Sequence, residues 1–211
     1  MQKKYKVAII GATGLVGRTA LKVLEEKDFS NVQFTLFSSQ KSAGTKLEFM
    51  GTNYIIQELT ESSFDIGFDY AIFCAGGETS KKYIPIAVSK KCVCIDNSSF
   101  YRMNPDVPLI IPEVNPSDIY NNTGIIANPN CSTIQAVVPL KPLDEKYGIK
   151  RIVYSTYQAV SGAGREGIED LENGYEGFEP KKFPYPIFNN CLPQILSLIH
   201  ISEPTRLDVI S

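Results

Sequence analysis

The chain has 211 residues, of which 43% are hydrophobic and 21% charged, enough for one large globular domain or one and a half small ones. Its 21 Lys and Arg against 23 Asp and Glu give a formal net charge of −2. This charge argues against nucleic acid or an anionic membrane as the main partner, because both attract basic proteins. No stretch reaches the roughly 20 apolar residues of a membrane span, and the first residues do not resemble a signal peptide.

Five cysteines are scattered along the chain, at positions 74, 92, 94, 131 and 191. Their odd number and wide spacing argue against a disulfide framework and favour a protein of the reducing cytoplasm. Cys92 and Cys94 lie two apart on a predicted strand, so both are expected to face one side of the sheet. Because the chain has no CxxC pair and a single histidine, no metal site is predicted.

Strands and helices are predicted to alternate along the chain. In chain order the elements are a strand at Lys6–Ile10, a helix at Leu15–Glu26, a strand at Val32–Phe37, a small hairpin of Leu47–Phe49 and Tyr54–Gln57, a strand at Tyr70–Phe73, a helix at Lys81–Lys90, strands at Cys92–Ile95, Leu109–Ile111 and Ile125–Ala127, a helix at Thr133–Tyr147, and a strand at Arg151–Gln158. Pro139 and Pro142 are expected to kink or interrupt the last helix. This alternation is typical of an α/β protein with a parallel, doubly wound sheet.

A glycine-rich loop, GATGLVG, joins the first strand to the first helix. Gly11 suits a tight turn, Gly14 removes a side chain where a pyrophosphate approaches, and Gly17 lets the helix pack closely. The N-terminus of the helix then offers free N–H groups to phosphate. The GxxGxxG spacing is a variant of the usual fingerprint, and an ordinary strand–turn–helix is the alternative. The strand before it and the helix after it favour a Rossmann-type dinucleotide site.

The end of the second strand indicates which dinucleotide binds. NAD enzymes usually have a carboxylate there that holds the ribose 2′-hydroxyl. This chain instead has the run SSQKSAG, with Ser38, Ser39, Lys41 and Ser42 and no acid. Hydroxyls and a cation suit a 2′-phosphate, so the sequence favours NADP. A polar surface turn is the alternative for this segment.

Cys131 differs from the other cysteines in its setting. In the run NPNCST it follows a strand and opens a helix, and the positive end of a helix favours a thiolate. Such a thiolate can attack an aldehyde, and after hydride transfer to a nicotinamide it is left as a thioester. The alternative, a small buried core residue, is the expected state of Cys74, Cys92, Cys94 and Cys191.

Six segments in order, GATGLVG, SSQKSAG, FCAGGETS, DNSSFYRMNPDVPLIIPEVN, GIIANPNCSTIQ and STYQAVSGAG, together resemble the aspartate-semialdehyde dehydrogenase family over residues 5 to about 195. The pair NPNCST and STYQAVSGAG is specific, whereas GxxGxxG alone is weak. The resemblance implies NADPH-dependent conversion of aspartyl phosphate to aspartate semialdehyde and phosphate, on the route to lysine, threonine and methionine. It also implies a homodimer or homotetramer.

The resemblance also implies roles for individual residues. Cys131 matches the nucleophile and Gln158 the glutamine that orients substrate beside it, while a strand-surface amide is the alternative for Gln158. Arg102 matches the phosphate-binding arginine. The loop near phosphate and nicotinamide is matched by Asn97, Ser98 and Ser99. Glu113 matches an acid near the active site, and a structural ion pair is the alternative for it. The expected cofactor contacts are Gly11, Thr13, Gly14, Leu15, Val16, Ser38, Ser39, Lys41, Ser42, Ala43, Gly76, Gly77, Ser161 and Gly162. Bacterial members often have arginine at position 41, so lysine is expected to weaken the selectivity for NADP.

The last residues do not resemble the family. Residues 196–211 resemble a translated adapter used in preparing DNA for sequencing, and we interpret them as a non-native tail. The expected domains are 1–130 for NADP, 131–195 as the incomplete start of an α+β catalytic and dimerisation domain, and 196–211 as the tail. The family's general base is a histidine beyond residue 195, so His200, the only histidine here, is not assigned that role. The 211-residue chain is therefore expected to have no turnover.

Two other readings remain open from the sequence. An N-acetyl-glutamyl-phosphate reductase shares the architecture and a cysteine nucleophile, although STYQAVSGAG favours aspartate-semialdehyde dehydrogenase. A non-catalytic nucleotide-binding module is the alternative from another class of protein, because the chain contains no assigned general base.

Overall fold

A computed structural model describes residues 4–193; the predicted tail and His200 lie outside these residues. The strands are β1 Tyr5–Ile10, β2 Val32–Ser38, β3 Lys46–Phe49, β4 Thr52–Ile55, β5 Gln57–Glu58, β6 Tyr70–Phe73, β7 Val93–Asp96 and β8 Ile125–Ala127. The α-helices are α1 Leu15–Glu25, α2 Gly77–Ser89, α3 Cys131–Tyr147 and α4 Arg165–Tyr175. Short 3₁₀ helices cover Gln40–Ser42, Glu61–Ile66, Pro116–Asn121 and Val160–Ala163.

The chain divides into two compact units, Met1–Asn130 and Cys131–Ser211. The first unit contains a six-stranded sheet in the order β5-β2-β1-β6-β7-β8. Every pair in it is parallel, and β3 and β4 form a separate antiparallel hairpin. The predicted parallel, doubly wound α/β sheet of the Rossmann type is therefore confirmed.

Alternate residues of β1 enter two separate cores. Ala8 and Ile10 pack in a cluster with Ile84 and Ala87 of α2. Val7 and Ile9 pack in a second cluster with Leu21 of α1 and with residues of the β3–β4 hairpin. Because successive side chains of a strand point to opposite faces, α1 and α2 cover opposite faces of the sheet. β1 is buried on both sides, which explains its continuous apolar run.

The predicted small hairpin is confirmed, but its second strand is Thr52–Ile55 and not Tyr54–Gln57, since Gln57 pairs with β2 instead. A two-residue turn, Met50-Gly51, joins its strands, and both residues have positive φ angles of 51° and 67°, as the tight turns of hairpins require. The Met50 N–H donates to the Glu25 Oε1 atom of α1 at 2.8 Å. The turn is thereby fixed to the end of α1.

Several predicted boundaries are corrected by the structure. Helix α2 begins at Gly77, four residues before the predicted start. The predicted strand Leu109–Ile111 is reduced to a single bridge between Leu109 and Ala127. The two prolines of α3 lie inside one continuous helix of 17 residues, so they do not interrupt it. Strand β5 and the 3₁₀ helix at Glu61–Ile66 were not predicted.

The prediction of a strand at Arg151–Gln158 is wrong. These residues have no regular secondary structure, and the described part of the second unit contains no strand. Val153 and Tyr157 are 75% and 90% exposed. A strand needs a neighbour to bond its N–H and C=O groups. Apolar alternation alone therefore does not produce a strand where no partner strand is present.

In the second unit, Asp170 of α4 fixes the chain that follows the helix. Its carboxylate accepts the backbone N–H groups of Lys181 at 2.8 Å, Lys182 at 2.7 Å and Phe183 at 2.9 Å. Burial raises the pKa of this carboxyl, but the three N–H donors outweigh it, so that its pKa lies below the usual 3.8. Asp170 is thus an anionic anchor for residues 181–183.

We expect the hydrogen bonds from residues 181–183 to Asp170 to weaken only at acidic pH. A folded-state pKa below the unfolded value gives stability that is present above pH 3.8 and lost as the pH falls through the folded value. Protection of the amides of residues 181–183 against hydrogen exchange should be constant from pH 7 to about pH 4 and decrease below it. Asp170→Asn should reduce that protection by about tenfold at pH 7 and remove its acid dependence. Glu169→Gln is the matched control, because Glu169 pairs with Arg165 on the exposed face of α4; equal protection in both variants would contradict the assignment.

Candidate functional site

The order of the strands locates a crevice in the first unit. From β1 the chain goes to one side, to β2 and β5, and then returns to the other side of β1 to form β6, β7 and β8. In open parallel sheets, ligands bind beyond the carboxyl ends of the strands at such a reversal. Here the reversal lies between β1 and β6, so the loops beginning at Gly11 and Cys74 border it. The predicted nucleotide loop is one of these two.

The glycines of that loop permit close backbone contact. Gly11 has a φ of +83°, and a Cβ there would lie 2.9 Å from the Cys74 carbonyl oxygen. The N–H groups of Gly11 and Ala12 both donate to the Phe37 carbonyl, at 2.9 and 3.0 Å. A Cβ on Gly17 would lie only 2.1 Å from the Gly11 carbonyl oxygen. The tight turn and the close packing predicted from the sequence are therefore both present.

Three hydroxyl groups meet beside this loop. Thr13 Oγ1 lies 2.6 Å from Ser38 Oγ and 3.4 Å from Ser42 Oγ. Lys41, between the two serines in sequence, is exposed, as are Ser39, Leu15 and Val16, while Ala43 is half-buried. The structure thus joins Thr13 to both ends of the segment that was predicted to recognise the 2′-phosphate.

Backbone hydrogen bonds between residues 44–45 and Ile56 hold the chain that follows this segment. The Gly44 N–H donates to the Ile56 carbonyl and the Ile56 N–H to the Thr45 carbonyl, both at 2.9 Å. Strand β5 follows and places Glu58 in register with Ser38. This exposed carboxylate was not predicted from the sequence, because it lies outside β2 and the segment that follows it. No local signal could have revealed it, because β5 is only two residues long.

Gly76 and Gly77 lie at the N-terminus of α2, beyond the carboxyl end of β6. Gly76 caps the helix, and its carbonyl accepts the N–H of Thr79 at 3.0 Å. A Cβ on Gly77 would lie 3.6 Å from Phe100 Cβ. Both predicted cofactor glycines are thus on the sheet edge that carries the nucleotide loop.

A buried carboxylate, Asp96, organises the loop after β7. Asp96 is 0% exposed. Its Oδ1 accepts the Ser80 hydroxyl at 2.7 Å and the Ser98 N–H at 2.9 Å, and its Oδ2 accepts the Ser98 hydroxyl at 2.8 Å. The Ser98 oxygen in turn accepts the Phe100 N–H at 3.1 Å. We refer to Ser80, Asp96, Ser98 and Phe100 as the Asp96 network.

Asn97 and Arg102 are brought together by hydrogen bonds with Asn128. Arg102 donates from Nε to the Asn128 carbonyl at 2.9 Å and from Nη2 to the Asn97 carbonyl at 3.1 Å. The Asn128 amide donates to Asn97 Oδ1 at 2.8 Å. The guanidinium therefore joins the loop after β7 to the loop after β8. Glu113, by contrast, lies exposed in a turn closed by the Val114 N–H and the Ile111 carbonyl at 2.8 Å.

Asn97 also contacts a cysteine that the sequence analysis set aside. Its Nδ2 donates to the Phe73 carbonyl at 2.9 Å and to Cys74 Sγ at 3.7 Å. Burial, which outweighs this hydrogen bond, raises the pKa of the Cys74 thiol to about 11. Cys74 is therefore a neutral thiol near pH 7, as expected of a structural cysteine.

The remaining predicted residues belong to the second unit. Cys131 is exposed and is the first residue of α3. Cys191 is also exposed, contrary to its predicted burial, whereas Cys74, Cys92 and Cys94 are buried. Gln158 is half-buried in the irregular segment before the Val160–Ala163 3₁₀ helix, which contains Ser161 and Gly162. The predicted position of Cys131 at a helix N-terminus is confirmed.

The sequence analysis missed Asp96, Ser80 and Asn128 as site-forming residues. A signal existed for Asp96, because a carboxylate that ends an apolar strand and precedes Asn-Ser-Ser is expected to accept local hydrogen bonds. Ser80 gave no such signal, since it lies 16 residues earlier in the chain than its partner.

Among residues 4–193, no cluster of three or more His, Cys, Asp or Glu side chains could hold a metal ion. Over the same residues, no helix has the length and apolar character needed to cross a membrane.

Comparison with known proteins agrees with this geometry. The sequence model described as "Semialdehyde dehydrogenase, NAD binding domain" matches residues 6–122, more than half of the chain. The chain belongs to the semialdehyde dehydrogenase family. A second model, "Semialdehyde dehydrogenase, dimerisation domain", matches residues 140–206. This range extends into the segment that we interpret as a non-native tail, and that interpretation stays a prediction.

Members of the family with high similarity are named aspartate-semialdehyde dehydrogenases, which confirms the resemblance found in the sequence. The protein from Aquifex aeolicus is 53% identical over 200 residues, covering 90% of this chain and 59% of its own length. The crystal structure of aspartate semialdehyde dehydrogenase II from Vibrio cholerae complexed with ASA has a TM-score of 0.82 and 43% identity, covering 92% of this chain and 60% of that one. The Candida albicans enzyme with NADP has a TM-score of 0.59 and 27% identity, over 70% and 48% of the two chains. The chain thus spans about 60% of the length of these bacterial relatives.

Proposed function

We propose that this chain carries the nucleophile and the cofactor site of an aspartate-semialdehyde dehydrogenase, which reductively dephosphorylates L-aspartyl 4-phosphate to L-aspartate 4-semialdehyde. The observation that carries the proposal is Cys131, exposed at the first position of α3 directly after Asn-Pro-Asn, in a chain of this family. The Cys131 thiolate attacks the acyl carbon, the C–O bond to phosphate breaks, and a thioester remains on sulfur. After reduction, the C–S bond breaks, the aldehyde leaves, and the thiolate is restored.

The cofactor in this proposal is NADP(H), which supplies the hydride when bound. Two features of the first unit support it. Gly14, at the N-cap of α1, has no side chain where a pyrophosphate would approach, and the helix N-terminus offers N–H donors. Thr13, Ser38 and Ser42 form a hydroxyl cluster next to Lys41, which suits a phosphate dianion better than a bare hydroxyl.

Lys41→Glu tests this choice of cofactor. Reversing the charge next to a 2′-phosphate should weaken NADPH binding about tenfold or more, and it should leave NADH binding unchanged or stronger. The measurement is titration of NADPH and NADH fluorescence with the 211-residue chain.

Lys27→Glu is the matched control for Lys41→Glu. It makes the same change in net charge at an exposed position after α1 and should leave the affinities for NADPH and NADH unchanged. Equal NADPH affinities of the Lys41 variant and the unsubstituted chain would place the adenosine end of the cofactor elsewhere.

The remaining site residues predicted from the sequence are proposed to bind substrate or cofactor. Arg102 is proposed to bind the acyl phosphate and inorganic phosphate, because a planar guanidinium matches two oxygens of an oxyanion. Its side chain is already restricted by hydrogen bonds to two backbone carbonyls, so it loses less conformational entropy when it binds phosphate. Asn97 and Glu113 are proposed as further substrate contacts and Gln158 as the residue that orients the acyl group. Ser161 and Gly162 are proposed to contact the cofactor.

The family implies properties beyond the reaction. We propose a cytoplasmic homodimer or homotetramer in the biosynthesis of lysine, threonine and methionine. The match of residues 140–206 to a dimerisation domain supports self-association. The proposed domains are 1–130 for NADP binding and 131–195 as the start of the catalytic and dimerisation domain.

An assay on a chimera tests the reaction directly. Residues 1–195 are continued with the C-terminal part of the Aquifex aeolicus relative, and phosphate-dependent NADP reduction is measured with aspartate semialdehyde and with N-acetylglutamate semialdehyde. Turnover with the first substrate alone is expected. A preference for the second would assign the chain to N-acetyl-glutamyl-phosphate reductase, and cofactor binding without turnover on either would favour a non-catalytic module. The 211-residue chain, measured in parallel, is predicted to be inactive.

A further inference from the structure

The Asp96 network connects two segments that the proposed function assigns to different ligands. Ser80 belongs to the first turn of α2, which begins at the cofactor glycines Gly76 and Gly77. Ser98 and Phe100 belong to the loop that runs to the phosphate-binding Arg102. Asp96 bonds to both sides, through Ser80 at 2.7 Å and through Ser98 at 2.8 and 2.9 Å.

The chemistry of the carboxylate makes this connection specific. The two carboxyl oxygens of Asp96 accept from three donors, which are two hydroxyls and one backbone N–H. Asp96 and Ser80 are both 0% exposed, so water does not compete for these bonds. Because a buried acceptor that loses its donor is costly, movement of α2 or of the loop away from Asp96 is opposed.

A second observation places the same two segments close together. Phe100 lies beside the helix start, where a Cβ on Gly77 would be 3.6 Å from Phe100 Cβ. The Phe100 N–H donates to Ser98 Oγ at 3.1 Å. The loop therefore lies close to the N-terminus of α2, where the hydrogen bonds of Asp96 hold it.

We propose that Asp96 is a positioning residue that fixes the N-terminal turn of α2 and the Asn97–Arg102 loop relative to each other. The cofactor contacts at Gly76 and Gly77 and the substrate contacts at Asn97 and Arg102 then keep one geometry before either ligand binds. This inference rests on the proposed function for the roles of those four residues. It assigns Asp96 and Ser80 a role through other residues, with no contact to substrate or cofactor.

The test compares the 211-residue chain with two single variants of it, Ser80→Ala and Asp96→Asn. Two quantities are measured: the dissociation constant for NADPH by fluorescence titration, and hydrogen exchange of the amides in residues 97–102. Ser80→Ala should raise the dissociation constant about 5- to 10-fold, the effect of about one hydrogen bond, and speed exchange in residues 97–102 although the substitution lies on another element. Asp96→Asn should do both more strongly.

Two control variants separate positioning from general loss of stability. Ser89→Ala removes a hydroxyl from the other end of α2, where it bonds the Ile86 carbonyl, and should change neither quantity. Ile84→Val removes a methyl group from a side chain of α2 that is 0% exposed; it should lower the melting temperature while leaving the dissociation constant and the exchange of residues 97–102 unchanged.

The outcomes distinguish a failure of the positioning role of Asp96 from a failure of the proposed cofactor site. If the unsubstituted chain binds NADPH and the Ser80 and Asp96 variants bind it as tightly with unchanged exchange, Asp96 is not a positioning residue. If Ile84→Val reproduces their effects, the network is merely structural and the inference is wrong. If the unsubstituted chain does not bind NADPH, the cofactor assignment is wrong, and exchange in residues 97–102 alone still shows whether Ser80 holds the loop.

Discussion

Replacing Cys131 with serine should remove turnover from the chimera of residues 1–195 with its Aquifex aeolicus relative. Serine keeps the size and polarity of the side chain but lacks a thiolate at neutral pH, so the thioester cannot form. Loss of a covalent nucleophile lowers kcat by about 10⁴-fold or more in enzymes that depend on one. The measurement is phosphate-dependent NADP reduction with aspartate semialdehyde, together with NADPH titration to show that the cofactor still binds.

Cys191 offers a matched control for this substitution. It is the other exposed cysteine in the described residues, and Cys191→Ser should leave turnover unchanged. Iodoacetamide at near-neutral pH should modify Cys131 about tenfold faster than Cys191, because Cys131 opens α3 whereas Cys191 lies in an irregular segment. Retained turnover in Cys131→Ser, or preferential labelling of Cys74 or Cys191, would overturn the assignment.

A methyl group at Gly17 should destabilise the first unit more than one at any other position of the glycine loop. The added Cβ would lie 2.1 Å from the Gly11 carbonyl oxygen and 2.9 Å from Ala12 Cα. Both are backbone atoms that cannot rotate away, and Gly11 is itself fixed against the Cys74 carbonyl. Such overpacking costs about 1–3 kcal/mol and occasionally more, so Gly17→Ala should lower the melting temperature by several degrees and abolish NADPH binding.

Gly14→Ala separates stability from binding in the same loop. Gly14 has a φ of −73°, and a Cβ there would lie 3.4 Å from the Gly11 carbonyl oxygen, a tolerable contact. This variant should keep the melting temperature while weakening NADPH binding, because the methyl group would occupy the approach of the pyrophosphate. Thermal unfolding and NADPH titration of both variants decide the matter. An equal loss of stability in the two would show that the loop is rigid for reasons other than contact at Gly17.

The elements predicted correctly from the sequence are those whose signal is local. Strand β1 is a β-branched apolar run that ends at Gly11, and the helix after it has apolar residues on one face. The position of Cys131 at a helix start could be inferred because its strand, turn and helix are consecutive. In each case, the residues that form the element are also the residues that signal it.

The errors arise where structure depends on distant partners. Strand β5 consists of two residues that pair with the edge of β2. Arg151–Gln158 shows the converse, with strand-like alternation but no partner strand among the described residues. Helix α2 begins before its apolar repeat does, and Ser80 in its first turn bonds Asp96, 16 residues away. None of these is visible in a short sequence window.

The residues that carry the chemistry of the candidate site were predicted from the sequence more completely than the residues that hold them in position. Thr13, Ser38, Ser42, Asn97 and Arg102 were all named from the sequence, and the structure brings them into two groups. The residues that hold the second group, Asp96 and Asn128, were not recognised, since each acts through bonds to other loops. Positioning residues have no chemical signature of their own beyond a polar side chain in an apolar setting.

The strand order has a consequence for how the first unit acquires its structure. Strand β1 pairs on one side with β2 and on the other with β6, and the Lys6 N–H also donates to the Asp69 Oδ2 atom, 63 residues away. The hairpin and the β1–β2 pair need only shorter loops, so they can form before the sheet extends to β6. Pairings distant in sequence are slow to form, so we expect the β1–β6 pair to form after both the β1–β2 and the β6–β7 pairs. The two halves of the sheet are then expected to form separately, and the crevice between β1 and β6 to close last.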